Sequence, residues 1–450
     1  MTDRDPELEN VDSFMEWVNE RHPGETEFHQ AVRSVVTHVL DIAQENDTYR
    51  KHRVLQRLTE PDRTISFRVA WEDDAGHLNI NRGYRVQLSN VIGPYKGGLR
   101  FDPTVNQSVL KFLAFEQLFK NSLTGLNLGA GKGGADFDPK ERSDAEIMRF
   151  CQSFMTELSR HIGQLTDVPA GDIGVGTREI GYLFGQYRRL KNRFAGVLTG
   201  KMVGMGGSKL RIEATGYGAV YFLREMLAAA GLSIEGQRVA VSGAGNVATH
   251  AALKAETLGA TVVTLSNRVG TLRKQDGFKM GDIRTIMKSY PSECTLDALA
   301  GETGAEWLDG KKPWSTECDV AMPCATQNEI DEDDAKALAD GGCSFVVEGA
   351  NMPLTGAAHA LLRQRSVCIA PGKAANAGGV TVSGFEMAQN RSGQIWTEEQ
   401  LDTRLRETMS DIYRRCCEFG QTDDGIDYSR GADRAGFERV AGALAGSGFM

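Results

Sequence analysis

Three lysines of this 450-residue chain stand where lysine can do chemistry. Lys96 lies in Gly93-Pro94-Tyr95-Lys96-Gly97-Gly98, Lys120 in Phe115-Glu116-Gln117-Leu118-Phe119-Lys120-Asn121, and Lys132 in Gly131-Lys132-Gly133-Gly134. One of them alone would read as a solvated surface charge. Three together in an acidic protein, two of them among glycines that let backbone approach a ligand, form a set. A substrate with two carboxylates needs two cationic anchors, and ammonium groups supply them without one fixed bidentate geometry. Lys96 and Lys120 fit those roles. The third lysine, close to two like charges and shielded by backbone, loses proton affinity because like charge and desolvation both disfavour its charged form. Lys132 is therefore expected to act as a general acid–base, its pKa brought down from about 10.4 towards the working pH. Carbon–nitrogen bond making through a carbinolamine also requires a group to exchange protons at nitrogen, and a carboxylate can steady a cationic iminium. Asp172, closing the run Asp167-Val168-Pro169-Ala170-Gly171-Asp172, is the candidate. Taken alone, it would read as a turn carboxylate after Gly171.

A second constellation binds rather than reacts. Val239-Ala240-Val241-Ser242 runs into Gly243-Ala244-Gly245-Asn246-Val247-Ala248 and then into a helical pattern over Thr249 to Leu258. Strand, tight turn and helix in that order give the GxGxxA form of a dinucleotide fingerprint. Gly243 permits the turn, Gly245 lets backbone come close to pyrophosphate, and Ala248 lets the helix pack near the strand. The helix amino terminus offers its unpaired N–H groups to the phosphates. The next strand ends at Leu265-Ser266-Asn267-Arg268, about where an NAD-selective site places a carboxylate on the ribose hydroxyls. Ser266, Asn267 and Arg268 would instead donate to a 2′-phosphate, so NADP is expected over NAD.

The elements that must position these residues are legible in outline. Helical periodicity covers Val11 to about Leu58, and a hairpin follows over Arg63–Trp71 and Leu78–Leu88 with a polar turn at Asp73–Gly76. Between Gly93 and Gly134, three glycine-rich turns are expected around one helix, Asn106 to Leu123. A further helix is expected from Asp144 to Gly163, leading into a turn at Asp167–Asp172. Beyond Gly204–Ser208 short apolar strands alternate with helices, the pattern of a parallel sheet covered on both faces. Strands are expected at Arg238–Ser242, Thr261–Ser266, Val320–Pro323, Ser344–Glu348 and Val367–Ala370, and terminal helices over Glu398–Glu418 and Arg434–Leu444. The expected class is α/β. An N-terminal α/β substrate-binding domain would be joined to a Rossmann-type dinucleotide-binding domain, with a cleft between them.

Composition is consistent with this. At 41% hydrophobic and 25% charged the chain is ordinary for a globular protein, and its length exceeds what one core usually organises. A net charge of -9 argues against a broad nucleic-acid-binding face. The start Met1–Asn10 is acidic and polar, unlike an export signal, and no stretch reaches the roughly 18 apolar residues of a membrane span. The eight cysteines lack zinc-like spacing, so no metal site is expected and they read as reduced thiols of a cytoplasmic protein.

With these residues in place, the chain resembles the hexameric, NADP-dependent glutamate dehydrogenases of the Glu/Leu/Phe/Val dehydrogenase family over nearly its whole length. The motifs that carry the resemblance are GPYKGGLRF (Gly93–Phe101), Phe115–Asn121, GKGGADFDP (Gly131–Pro139), DVPAGDIGVG (Asp167–Gly176), EATGYG (Glu213–Gly218), CATQNE (Cys324–Glu329), EGANMP (Glu348–Pro353) and PGKAANAGG (Pro371–Gly379). The resemblance implies reversible amination of 2-oxoglutarate by ammonium with NADP(H) to give glutamate, in a homohexamer. It implies that Lys96, Gln117, Lys120, the Gly171 backbone and Ser383 bind the dicarboxylate, with Lys132 the catalytic lysine and Asp172 the essential carboxylate. On the cofactor side it implies Thr215 and Asn246, with Asn351 near the nicotinamide ribose and Asn376 close by; Val247 falls within the fingerprint. By the same analogy residues 1–206 bind substrate and assemble the oligomer, residues 207–424 bind cofactor, and a C-terminal helix within 425–450 packs back on the first domain. Ile212 before Glu213 and the stretch Val203-Gly204-Met205 depart from the usual pattern, away from any catalytic position. Two rivals stay in view. A dehydrogenase for apolar amino acids would have no cation at the side-chain end of the pocket, so Lys96 and Ser383 count against it, and a non-catalytic dinucleotide-binding protein would have no use for Lys132 and Asp172.

Overall fold

The hairpin after the amino-terminal helices is one side of a five-stranded sheet. In the computed structural model, which describes residues 9–448, β1 (Arg63–Glu72) pairs antiparallel with β2 (Leu78–Ser89). With β3 (Tyr95–Phe101), β4 (Ala130–Ala135) and β5 (Asp167–Gly171) the strand order is β1-β2-β4-β3-β5. Residues 1–8 of the acidic start and the last two of the expected C-terminal segment lie outside the described residues.

Period-two alternation sends the two faces of this sheet to two cores. Val86 and Leu88 of β2 pack with Leu110, Phe115 and Phe119 of the helix Gln107–Leu123 and with Val32 and Val35 of the helix Thr26–Glu45. Phe437, Val440 and Leu444 of the helix Tyr428–Gly446 join the same core, so the end of the chain is built into its beginning. Leu99, Phe101 and Ala135 face the other way, onto Phe150 and Phe154 of the helix Asp144–Leu158 and Leu183 of the helix Thr177–Lys191. Each fully buried Val, Leu or Phe among these contributes about 1.5–3 kcal/mol relative to exposure.

Three expectations are corrected here. Gly97, Gly98, Gly131, Gly133 and Gly134 belong to strands β3 and β4, not to turns, and Asp167–Gly171 is strand β5. Glycine is a poor strand residue by itself, but here backbone or a functional side chain occupies the space a Cβ would take. A Cβ on Gly97 would lie 1.8 Å from the Gly131 oxygen, and one on Gly134 2.0 Å from the Arg100 oxygen. The helix from Asp144 stops at Leu158, because the chain then reverses so that Gly163 bridges to Asp167.

The chain divides into two units. The first comprises residues up to Lys209 together with Ser383–Thr397 and the segment from Asp433 onward, and the second comprises Leu210–Val382 and Glu398–Ala432. The second unit holds a seven-stranded sheet whose strands are β6 (Arg238–Val241), β7 (Thr261–Ser266), β8 (Gly270–Arg273), β9 (Glu306–Asp309), β10 (Val320–Met322), β11 (Phe345–Val347) and β12 (Cys368–Ala370). Their order is β12-β11-β10-β6-β7-β8-β9, with β12 to β7 parallel and β8 and β9 antiparallel. The five parallel strands fall where the apolar runs lie. β8 and β9 were not anticipated, since four-residue strands containing Arg273, Glu306 and Asp309 lack an apolar run. From β6 the chain goes to β7 on one side and later to β10 on the other, the switch point at which open parallel sheets bind ligands.

Candidate active site

In the first unit, β3 and β4 converge on Asp172, which follows β5. Lys132 projects from β4, where it sits opposite Val86, and its Nζ donates to Asp172 Oδ1 at 3.0 Å. Arg100, from β3, donates through Nε to Asp172 Oδ2 at 2.7 Å. Gly98 lies two residues from each of Lys96 and Arg100 on β3, and a Cβ there would come within 2.8 Å of the Asp172 Cβ. The glycine therefore makes room for the carboxylate. Burial would raise the Asp172 pKa, but the charges of Lys132 and Arg100 and hydrogen bonds from both outweigh it and hold the pKa at about 2. Burial strips the Lys132 ammonium of water and lowers its pKa; Asp172 opposes this, while Arg100 and Arg85 add to it.

The dicarboxylate candidates lie on β3, β5 and two helices of the same unit. Lys96 is 1% exposed. Its carbonyl accepts from Asn121 Nδ2 at 3.1 Å, and the same amide donates to the Gly129 oxygen at 2.6 Å, so Asn121 fastens the helix Gln107–Leu123 to the strands. Gln117 donates to Asn121 Oδ1 at 2.6 Å, and Lys120 lies half-buried on the same helix. Gly171 ends β5, so its backbone is fixed by pairing with Leu99. Ser383 is buried on the helix Gly378–Ser392. That helix is anchored through Glu386, whose buried carboxylate takes Lys201 Nζ at 2.7 Å and the Gly200 N–H at 2.9 Å.

In the second unit the fingerprint folds as its sequence requires. Gly243 has φ +84° and packs on Ala248 and Ala325, which brings the turn after β6 against the one after β10. Gly245 caps the helix Asn246–Thr257, and a Cβ there would meet nothing within 4 Å. That open space before a helix amino terminus fits a pyrophosphate. Asn246 donates to the Ile212 oxygen at 2.7 Å, and Val247 packs beside Gly349. Thr215 Oγ1 would lie 2.5 Å from a Cβ on Gly379, so that glycine admits the hydroxyl. Asn376, 3% exposed, donates to Asn351 Oδ1 at 2.9 Å and to the carbonyls of Gly349 and Ala350. At the end of β7, Ser266 Oγ accepts from the Gly243 N–H and Asn267 Oδ1 from Val269 and Gly270, so both brace turns, while Arg268 is exposed.

Two family models match. Residues 206–448 match Glutamate/Leucine/Phenylalanine/Valine dehydrogenase, and residues 61–189 match the Glu/Leu/Phe/Val dehydrogenase dimerisation domain. The chain belongs to the Glu/Leu/Phe/Val dehydrogenase family. It is 52% identical to an NADP-specific glutamate dehydrogenase of Psychrobacter sp. (strain TAD1) over 98% of this chain and 100% of that one. It is 48% identical to an NAD-specific glutamate dehydrogenase of Porphyromonas gingivalis over 97% and 98%. A crystal structure of Plasmodium falciparum glutamate dehydrogenase superposes with a TM-score of 0.95 at 46% identity, covering 97% of this chain and 94% of that one.

In this family member Arg100 bonds Asp172 and Asn121 bonds the Lys96 carbonyl, two roles that the sequence pattern did not single out. Arg100 was legible in principle, because strand alternation puts it on the face of Lys96. Reading that segment as a turn hid the alternation. Asn121 carried no signal beyond its place next to Lys120. Among the described residues no helix is long and apolar enough to cross a membrane.

Proposed function

We propose that the chain is an NADP-dependent glutamate dehydrogenase that reversibly aminates 2-oxoglutarate with ammonium. The observation that carries the chemical reading is one carboxylate, Asp172, bonded by Lys132 and by Arg100 of the strand that also carries the buried Lys96. Lys96 and Lys120 anchor the two carboxylates, with Gln117, Ser383 and the Gly171 backbone completing the cradle. Lys132, whose pKa burial lowers against the opposing charge of Asp172, moves protons at the substrate's C2 oxygen and nitrogen through carbinolamine and imine. The charges of Lys132 and Arg100 favour the ionised form of Asp172 against the cost of burial, which suits a negative charge facing ammonium and the cationic iminium. NADPH, when bound, supplies hydride to C2. Gly243, Gly245, Asn246, Val247 and Thr215 would hold its pyrophosphate side, Asn351 and Asn376 its nicotinamide side, and Ser266, Asn267 and Arg268 its 2′-phosphate. Arg268 is the exposed cation of that trio, and the run Ser266-Asn267-Arg268 that closes β7 contains no carboxylate. We assign substrate binding and assembly to residues 1–206 with the C-terminal helix of 425–450, and cofactor binding to 207–424. The working form is a cytoplasmic homohexamer.

Loss of NADPH absorbance with 2-oxoglutarate and ammonium, run beside NADH and beside 2-oxoisocaproate, tests the reading. Turnover confined to 2-oxoglutarate and faster with NADPH is expected. Preference for 2-oxoisocaproate would transfer the chain to the apolar amino-acid dehydrogenases, and silence in every combination would overturn the catalytic reading.

A further inference from the structure

Arg85 and Asp167 are both completely buried, and neither hydrogen-bonds to a reacting group named above. The guanidinium forks onto the carboxylate: Nε donates to Oδ2 at 2.9 Å and Nη2 to Oδ1. Its remaining nitrogen, Nη1, donates to the carbonyls of Gly97 at 3.2 Å and Gly98 at 3.5 Å. Arg85 also fills the space beside two glycines of the next strand. A Cβ on Gly133 would lie 3.0 Å from Arg85 Cδ, and one on Gly131 3.3 Å from Nη2. One side chain of β2 therefore touches β3, which carries Lys96 and Arg100, and β4, which carries Lys132. It also bonds the head of β5, which runs into Asp172.

Strand alternation places Arg85 on the face opposite Lys132, since Arg85 pairs with Gly133 and Val86 with Lys132. The pair lies behind the reacting groups without touching them. Stability alone is a weak reason for it, because an apolar pair of similar volume is often as stable as a buried ion pair or more so. We propose that Arg85 and Asp167 are positioning residues that set the spacing between Lys132 and Asp172 by tying together the strands that carry them. This rests on the reading of Lys132 and Asp172 as the reacting groups.

The test is the double variant Arg85→Met/Asp167→Leu, which leaves no unpaired buried charge, assayed as full-length protein for 2-oxoglutarate amination. The expected result is a parental Tm, an unchanged KM for NADPH and a kcat lower by roughly 10- to 100-fold, the scale of a misplacement near 1 Å. A merely structural role would lower Tm and leave the kcat of the folded protein intact. A folded double variant with parental kcat overturns the proposal. Should the double variant not fold, Arg85→Lys decides, since it keeps a cation beside Asp167 but loses the two-pronged fork onto it and the Nη1 bonds to the Gly97 and Gly98 carbonyls. Lowered kcat at parental Tm supports the proposal, and parental kcat overturns it. Lys132→Ala in the parental protein separates the two readings: if turnover survives there, the assignment of the reacting groups has failed, whatever Arg85 does.

Discussion

Asp172 holds a cation on each oxygen, so removing one of the two is a clean perturbation of the site. Arg100→Met takes away a positive charge that lowers the Lys132 pKa, so that pKa must rise. Deamination needs neutral Lys132, and its rising limb should move to higher pH while kcat falls by about an order of magnitude. Arg100→Lys, which keeps the charge, should restore the limb. A kcat profile against pH that stays put, or moves down, would refute the arrangement. Lys96→Leu acts at the far end of the substrate. Loss of a charge-assisted bond of roughly 1.5–3 kcal/mol should raise the KM for 2-oxoglutarate about 10- to 100-fold, and 2-oxoisocaproate should gain. Unchanged preference between the two acids would remove Lys96 from the side-chain pocket. At this scale the sequence was informative where a residue type is uncommon in its setting, as for three lysines in an acidic chain. It was silent on Arg85, whose role depends on what three other strands place around it.

At the scale of elements, parallel strands were legible because burial on both faces writes a continuous apolar run, as at Val239-Ala240-Val241. The glycine strands were not, because their residue types answer to Asp172 and Arg85 packed against them and not to strand preference. A second buried carboxyl shows how such an element depends on pH. Glu348, at the end of β11, accepts the Gly372 N–H just past β12. Burial raises its pKa to about 7, against the opposing effects of the Gly372 bond and the Lys373 charge. A carboxyl whose pKa is raised on folding contributes stability in its neutral form, fully present below the unfolded value of about 4.3 and lost as pH climbs through 7. Glu348→Gln keeps an oxygen for Gly372 and has no charge to bury. Urea denaturation should find it more stable than the parent at pH 8, by up to roughly 3 kcal/mol, and close to it at pH 5. An equal difference at the two pH values would mean that Glu348 does not titrate with folding.

At the scale of the molecule, the five-stranded sheet ends in β1, a ten-residue strand with one side unpaired among the described residues. Beside it on β2, Leu78 and Ile80 are 72% and 67% exposed. A long edge strand offers a row of free N–H and C=O groups, and exposed apolar residues beside it mark a surface that a protein normally covers. Both features lie in residues 61–189, the segment matched by the dimerisation-domain model. The proposed hexamer would cover this edge. Sedimentation should give a species of six protomers for the parental chain, and Leu78→Asp combined with Ile80→Asp should shift it to smaller species. The substitutions are at exposed positions, so the protomer fold should survive, and unchanged far-UV circular dichroism would establish that. An intact hexamer carrying both aspartates would place the assembly surface elsewhere on the first unit and leave the edge of β1 to solvent.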